Sequence, residues 1–133
     1  MTETETTAGT QITGVGTVIV PVSDQDRAID FYVSKLGFEK RLDVPMGETE
    51  RWVEVAPPGA ATTIALVPPR EGEPTGVDTR VAFVTGDIDA DPADLLAQGV
   101  DVDEVVMRMG APVPPMFFFC DQDANRLLIV QLS

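Results

Sequence analysis

The chain has 133 residues, 44% of them hydrophobic, which suffices for one domain with its own core and is too little for two. Its formal net charge of -13 opposes binding to phosphate backbones and anionic lipid, and no apolar run approaches the ~20 residues that a bilayer-crossing helix needs. It contains no histidine, which removes every Ser-His or Cys-His dyad and every histidine-ligated zinc, iron or nickel site.

The opening "MTETETTAGTQ" is acidic and Thr-rich, with neither a basic region nor an apolar core, so residues 1–13 read as a loose arm rather than a secretory signal. Residues 15–22, "VGTVIVPV", are β-branched and read as a strand. A helix follows, with Ser23 and Asp26 as a capping-box-like start, Gly37 as a left-handed stop, and Ala28, Ile29, Tyr32, Val33 and Leu36 as its apolar stripe. Strands are predicted at 38–45, 50–56 and 61–68, separated by the turn sequences "PMGE" and "PPGAA".

The loop 69–78 closes this half, and a strand at 79–85 opens the next. Asp91 is predicted to cap a second helix, with Pro92 at its first position and Gly99 at its stop. Shorter strands follow near 103–108, 115–120 and 126–132. The order strand, helix, strand, strand, strand thus occurs twice, in modules of about 14–68 and 79–132 within a domain of 14–133. The fold class is α+β: two βαβββ modules forming a curved, mostly antiparallel sheet around a cleft, with helices on the outer face.

Several acidic stretches have ordinary explanations. "DQDAN" at 121–125 begins like a calcium loop, but such a loop requires glycine at its sixth position and glutamate at its twelfth, where Arg126 and Leu132 stand. It reads as a turn, and "DIDAD" at 87–91 reads as a helix start. The lone Cys120 permits no internal disulfide, fits a reducing cytoplasm and has no sequence neighbour to activate it.

Three stretches carry a family likeness: "VPVSDQDRAIDFYVSKLGFE", "RVAFVTGDIDA" and "FFFCDQDANRLLIVQ". Over residues 14–132 the chain resembles the vicinal oxygen chelate superfamily, which includes glyoxalase I, extradiol dioxygenases, fosfomycin-resistance enzymes and bleomycin-binding resistance proteins. In its metal-using members the resemblance implies four ligand positions, which fall here at Thr17, Ala65, Arg80 and Leu128. None of these side chains suits a divalent ion, so the resemblance implies no metal and no cofactor for this chain.

If the family register holds, strand alternation places Thr17, Ile19, Thr63, Ala65, Arg80, Ala82 and Leu128 on the cleft, with Trp52, Met107, Met109, Phe117 and Phe119 as further ligand-binding candidates. Arg80 reads either as an anchor for an anionic ligand group or as a bridge to an acid such as Glu54. The sequence therefore points to a metal-free, cytoplasmic, homodimeric protein that sequesters a small apolar or aromatic molecule, as the resemblance to the drug-binding branch implies. The alternative is a lyase, isomerase or dioxygenase-like enzyme with Glu54 as a carboxylate base. A third reading is an interaction module whose cleft is filled by its own side chains.

Overall fold

A computed structural model describes residues 9–103 and 105–132, so the first eight residues of the predicted arm lie outside the described range. The first module runs β1 (Thr17–Pro21), α1 (Gln25–Ile29), a π-helical continuation (Asp30–Lys35), β2 (Glu39–Met46), β3 (Glu50–Ala56) and β4 (Thr63–Val67). The second runs β5 (Asp78–Val84), α2 (Asp91–Ala97), β6 (Asp101–Val102), β7 (Met116–Cys120) and β8 (Arg126–Val130). The α+β class and the paired βαβββ modules are as predicted.

The two modules share one topology, with sheets ordered β1-β4-β3-β2 and β5-β8-β7-β6. In each, the strand before the helix lies parallel to the last strand of its module, and the other pairings are antiparallel. The helix carries the chain from the first strand to the opposite edge of the sheet, and two antiparallel connections bring it back beside that strand, which leaves the first and last strands parallel.

Both helix starts differ from expectation by one residue. Asp24 rather than Ser23 caps α1, its side chain accepting from the Arg27 amide, which frees Ser23 for a contact with the second module. At α2 the cap is Ala90, whose amide donates to Asp87, so Asp91 is already helical and Pro92 follows it. Gly37 and Gly99 both take left-handed conformations at the helix ends, as expected. In place of the predicted strand near 103–108, β6 falls just before it at Asp101–Val102, and within the predicted range Met107 forms an isolated bridge with Met116.

One face of each sheet packs into a common core. Val20, Val22, Val53, Val55, Ile64 and Leu66 come from the first sheet, Phe117, Phe119, Leu127 and Ile129 from the second, and Ala28, Phe31, Tyr32 and Leu95 from the helices between them. Ring contacts run Phe31–Tyr32–Phe38–Phe83–Phe119 from the first module's helix into the second module's sheet. Each large side chain buried here contributes about 1.5–3 kcal/mol of transfer free energy.

A polar cluster, buried at Asp121 and Asn125 and exposed at Ser23, closes the same junction. Tyr32 Oη donates to Asp121 Oδ2 at 2.8 Å, Asn125 Nδ2 donates to the Pro21 carbonyl at 2.9 Å, and Ser23 donates through its amide and hydroxyl to Asp123. "DQDAN" is thus a turn, with Asp121 Oδ1 accepting from the amides of Asp123 and Asn125. No helix in the described residues is long and apolar enough to cross a membrane.

Candidate functional site

Because strand side chains alternate, the faces opposite the core form two further surfaces. On the first sheet, Ile19 pairs with Ala65, Thr17 with Thr63, Glu54 with both Ala65 and Leu42, and Val44 with Trp52. On the second, Ala82 and Phe118 flank Leu128, Val84 and Met116 flank Val130, and Cys120 pairs with Arg126. Both sheets turn their other faces to one shared core, so these open faces are the surfaces that the core leaves free.

Both faces carry exposed apolar side chains, although Thr63, Ala65 and Val130 on them are buried. Ile19, in the first strand, is 59% exposed and Val84, in the fifth, is 65% exposed, although β-branched side chains in strands usually pack against a neighbour. Two concavities within the chain reach the second face only at its β5 edge, at Val84 in both and Ala82 in one. One of about 380 Å³ sits between Phe38, Phe83 and Leu95, and one of about 410 Å³ between Val18, Ile64, Val81 and Phe83. Neither takes in Trp52, Glu54, Thr63, Phe118 or Leu128.

Near the middle of the first face the polar groups are tightly organised. Glu54 Oε2 accepts from Trp52 Nε1 at 2.7 Å, and Glu54 Oε1 accepts from Thr63 Oγ1 at 2.8 Å. Thr17 Oγ1 in turn donates to the Thr63 carbonyl at 3.2 Å. Glu54 forms no ion pair with Arg80 among the described residues.

Arg80 is exposed, with a left-handed φ of 59°, at a break in the β5–β8 ladder between Asp78 and Ala82. Its amide donates to Asp78 Oδ1, and the neighbouring Thr79 hydroxyl donates to the Arg126 carbonyl. Holding a non-glycine residue in this conformation stores about 1 kcal/mol of strain.

The second face requires a correction. Phe117 and Phe119 are 0% and 1% exposed and belong to the core, while Phe118 lies on the open face with the Arg126 guanidinium 3.6 Å above its ring centre. Three consecutive phenylalanines carry no alternation, so only the pairing of Phe118 with Leu128 reveals which one faces out. Met107 and Met109 are exposed on the segment leading to β7, and Leu128 is half-buried where the register puts it.

The four positions at which related metal sites carry ligands do not make one here. Thr17 is engaged with the Thr63 carbonyl, Ala65 and Leu128 have no donor atom, and Arg80 is a cation. Among the described residues no three His, Cys, Asp or Glu side chains converge as a ligand group. Cys120 is half-buried, and burial first, then Asp101, pushes its thiol above the usual range, which disfavours a reactive thiolate.

Comparison with known proteins places this geometry among relatives. The family model described as Glyoxalase/Bleomycin resistance protein/Dioxygenase superfamily matches residues 14–129. TnmS3, an antibiotic binding protein from Streptomyces sp. CB03234, is 38% identical and superimposes with a TM-score of 0.81 over 93% of this chain and 99% of its own. A superfamily member from Sphaerobacter thermophilus DSM 20745 is 35% identical, with a TM-score of 0.84 over 92% of this chain and 99% of that one. Among curated sequences, YetH of Bacillus subtilis (strain 168) is 46% identical over 54 residues, which is 41% of this chain and 45% of YetH. The match thus spans under half the length of that relative.

Proposed function

The chain belongs to the glyoxalase/bleomycin resistance protein/dioxygenase superfamily, and from that premise we propose that it is a small-molecule-binding protein that acts as a homodimer and needs no metal. In this reading residues 14–133 form one unit in the cytoplasm. The first open face of one protomer and the second open face of its partner build each binding cleft. The ligand is apolar or aromatic and is held rather than transformed.

The observation that carries the reading is that each sheet has a second face, with exposed apolar residues such as Ile19 and Val84, that the shared core does not use and that is incomplete as a cleft. A two-fold dimer uses both at once, because an isologous contact brings face one of each copy to face two of the other and creates two equivalent sites. The edge position of β1 and β5 supports this arrangement, since edge strands offer unpaired backbone groups for a neighbouring sheet. The likeness to TnmS3 across nearly the whole chain supports binding of an antibiotic-like molecule. The chemistry of Thr17, Ala65, Arg80 and Leu128 supports metal independence.

Native mass spectrometry tests this, first on the protein as purified and then after anaerobic incubation with excess Zn²⁺, Mn²⁺, Ni²⁺ or Fe²⁺. The expected result is a dimer, with or without an organic adduct, that takes up no metal stoichiometrically. A monomer, or one tightly held metal per subunit, contradicts it.

A further inference from the structure

Glu54 is the feature of the first open face that a purely apolar ligand leaves unexplained. Its two oxygens are each fixed by one neutral donor, Trp52 Nε1 and Thr63 Oγ1, and no cation pairs with it among the described residues. Each carboxylate oxygen accepts more than one hydrogen bond, so both keep acceptor capacity for a ligand. Around it stand Leu42, Val44, Trp52 and Ala65, so a ligand lying on this face strips water from the carboxylate. Two neutral donors do not offset the charge that is then desolvated, and a positive group on the ligand does.

We propose that the site selects a flat apolar ligand bearing a protonated amine, which Glu54 receives in charge-assisted hydrogen bonds. Trp52 and Thr63 are positioning residues that hold the carboxylate in one orientation. The net charge of -13 raises the local concentration of such a cation before it docks. This rests on the small-molecule-binding reading and adds the charge of the ligand to it.

The test uses three fluorescent probes of one shape: 9-anthracenemethylamine, which is protonated at neutral pH, 9-anthracenemethanol, and 9-anthracenecarboxylate. Titration of the dimer is expected to show the amine binding about tenfold more tightly than the alcohol, with the carboxylate weakest. Glu54→Gln is expected to reduce the amine to the affinity of the alcohol and to leave the alcohol almost unchanged. Glu50→Gln, at the outer end of the same face, is expected to preserve the preference.

Equal binding of amine and alcohol to the unaltered protein overturns the proposal while leaving small-molecule binding intact, and needs no variant to be folded. So does an amine preference that survives Glu54→Gln or disappears equally with Glu50→Gln, because general surface attraction then explains it. Failure of all three probes to bind overturns both this proposal and the reading beneath it.

Discussion

The Tyr32 hydroxyl donates to Asp121 across 89 positions of sequence, joining the helix of the first module to the turn after β7 in the second. This bond ties the helical segment Asp30–Lys35 of the first module to the second module and helps hold the two sheets around their shared core.

Burial, followed by the charge of Asp121, raises the Tyr32 phenol well above its ordinary value. A group whose protonated form is favoured by folding contributes stability fully below its unfolded pKa of ~10, and loses that contribution as pH rises toward the folded value. Tyr32 is the only tyrosine, so phenolate absorbance reports on it alone. The absorbance is expected to appear only with cooperative alkaline unfolding, and titration near pH ~10 with the fold intact contradicts the burial argument. Tyr32→Phe removes one donor from buried Asp121 and is expected to cost about 1–3 kcal/mol in denaturant melts.

Asp123 behaves in the opposite sense. Burial pushes its carboxyl up, but the hydroxyl and amide of Ser23, with Gln122 and Arg27, outweigh burial and hold it below the usual value. Its contribution is therefore complete above ~4 and is lost as pH falls through the depressed folded value. Asp123→Asn is expected to flatten the acid side of the stability profile and to lower neutral stability by about 1 kcal/mol. An unchanged acid limb in urea melts at stepped pH counts against the Ser23–Asp123 link.

Adjacent phenylalanines separate folding from binding. Phe119→Ala opens a cavity in the core and is expected to cost about 3–5 kcal/mol. Phe118→Ala, on the open face beneath Arg126, is expected to leave the melting profile nearly unchanged and to weaken ligand binding. The reverse ordering of the two variants contradicts the register assigned to β7.

Those same phenylalanines show where the sequence stops being legible. The modules were readable because each strand, helix and glycine stop carries a local signal: β-branched runs, Pro92 near a helix start, Gly37 and Gly99 at the ends. Ser23 and Asp24 are both good caps, and only the distant position of Asp123 assigns Ser23 to the second module. "VVM" at 105–107 has strand composition, yet only Met107 finds a pairing partner. Thr17 pairs with Thr63 and Ile19 with Ala65 on one face, which strand alternation makes legible because it is local. Phe31 was missed from the core stripe, and the direction in which each open face points depends on long-range packing.

The claim that each cleft is shared between two chains is tested most directly with mixed dimers and the neutral apolar dye Nile red. Trp52→Lys damages the first face and Leu128→Lys the second, and each variant alone is expected to lose dye binding while remaining folded. If the sites are shared, chains of the two variants unfolded and refolded together in equal amounts regain about a quarter of the unaltered protein's sites, because half the dimers are mixed and each has one intact cleft. No recovery in a preparation shown by mass to contain mixed dimers places each site within a single chain and contradicts the account.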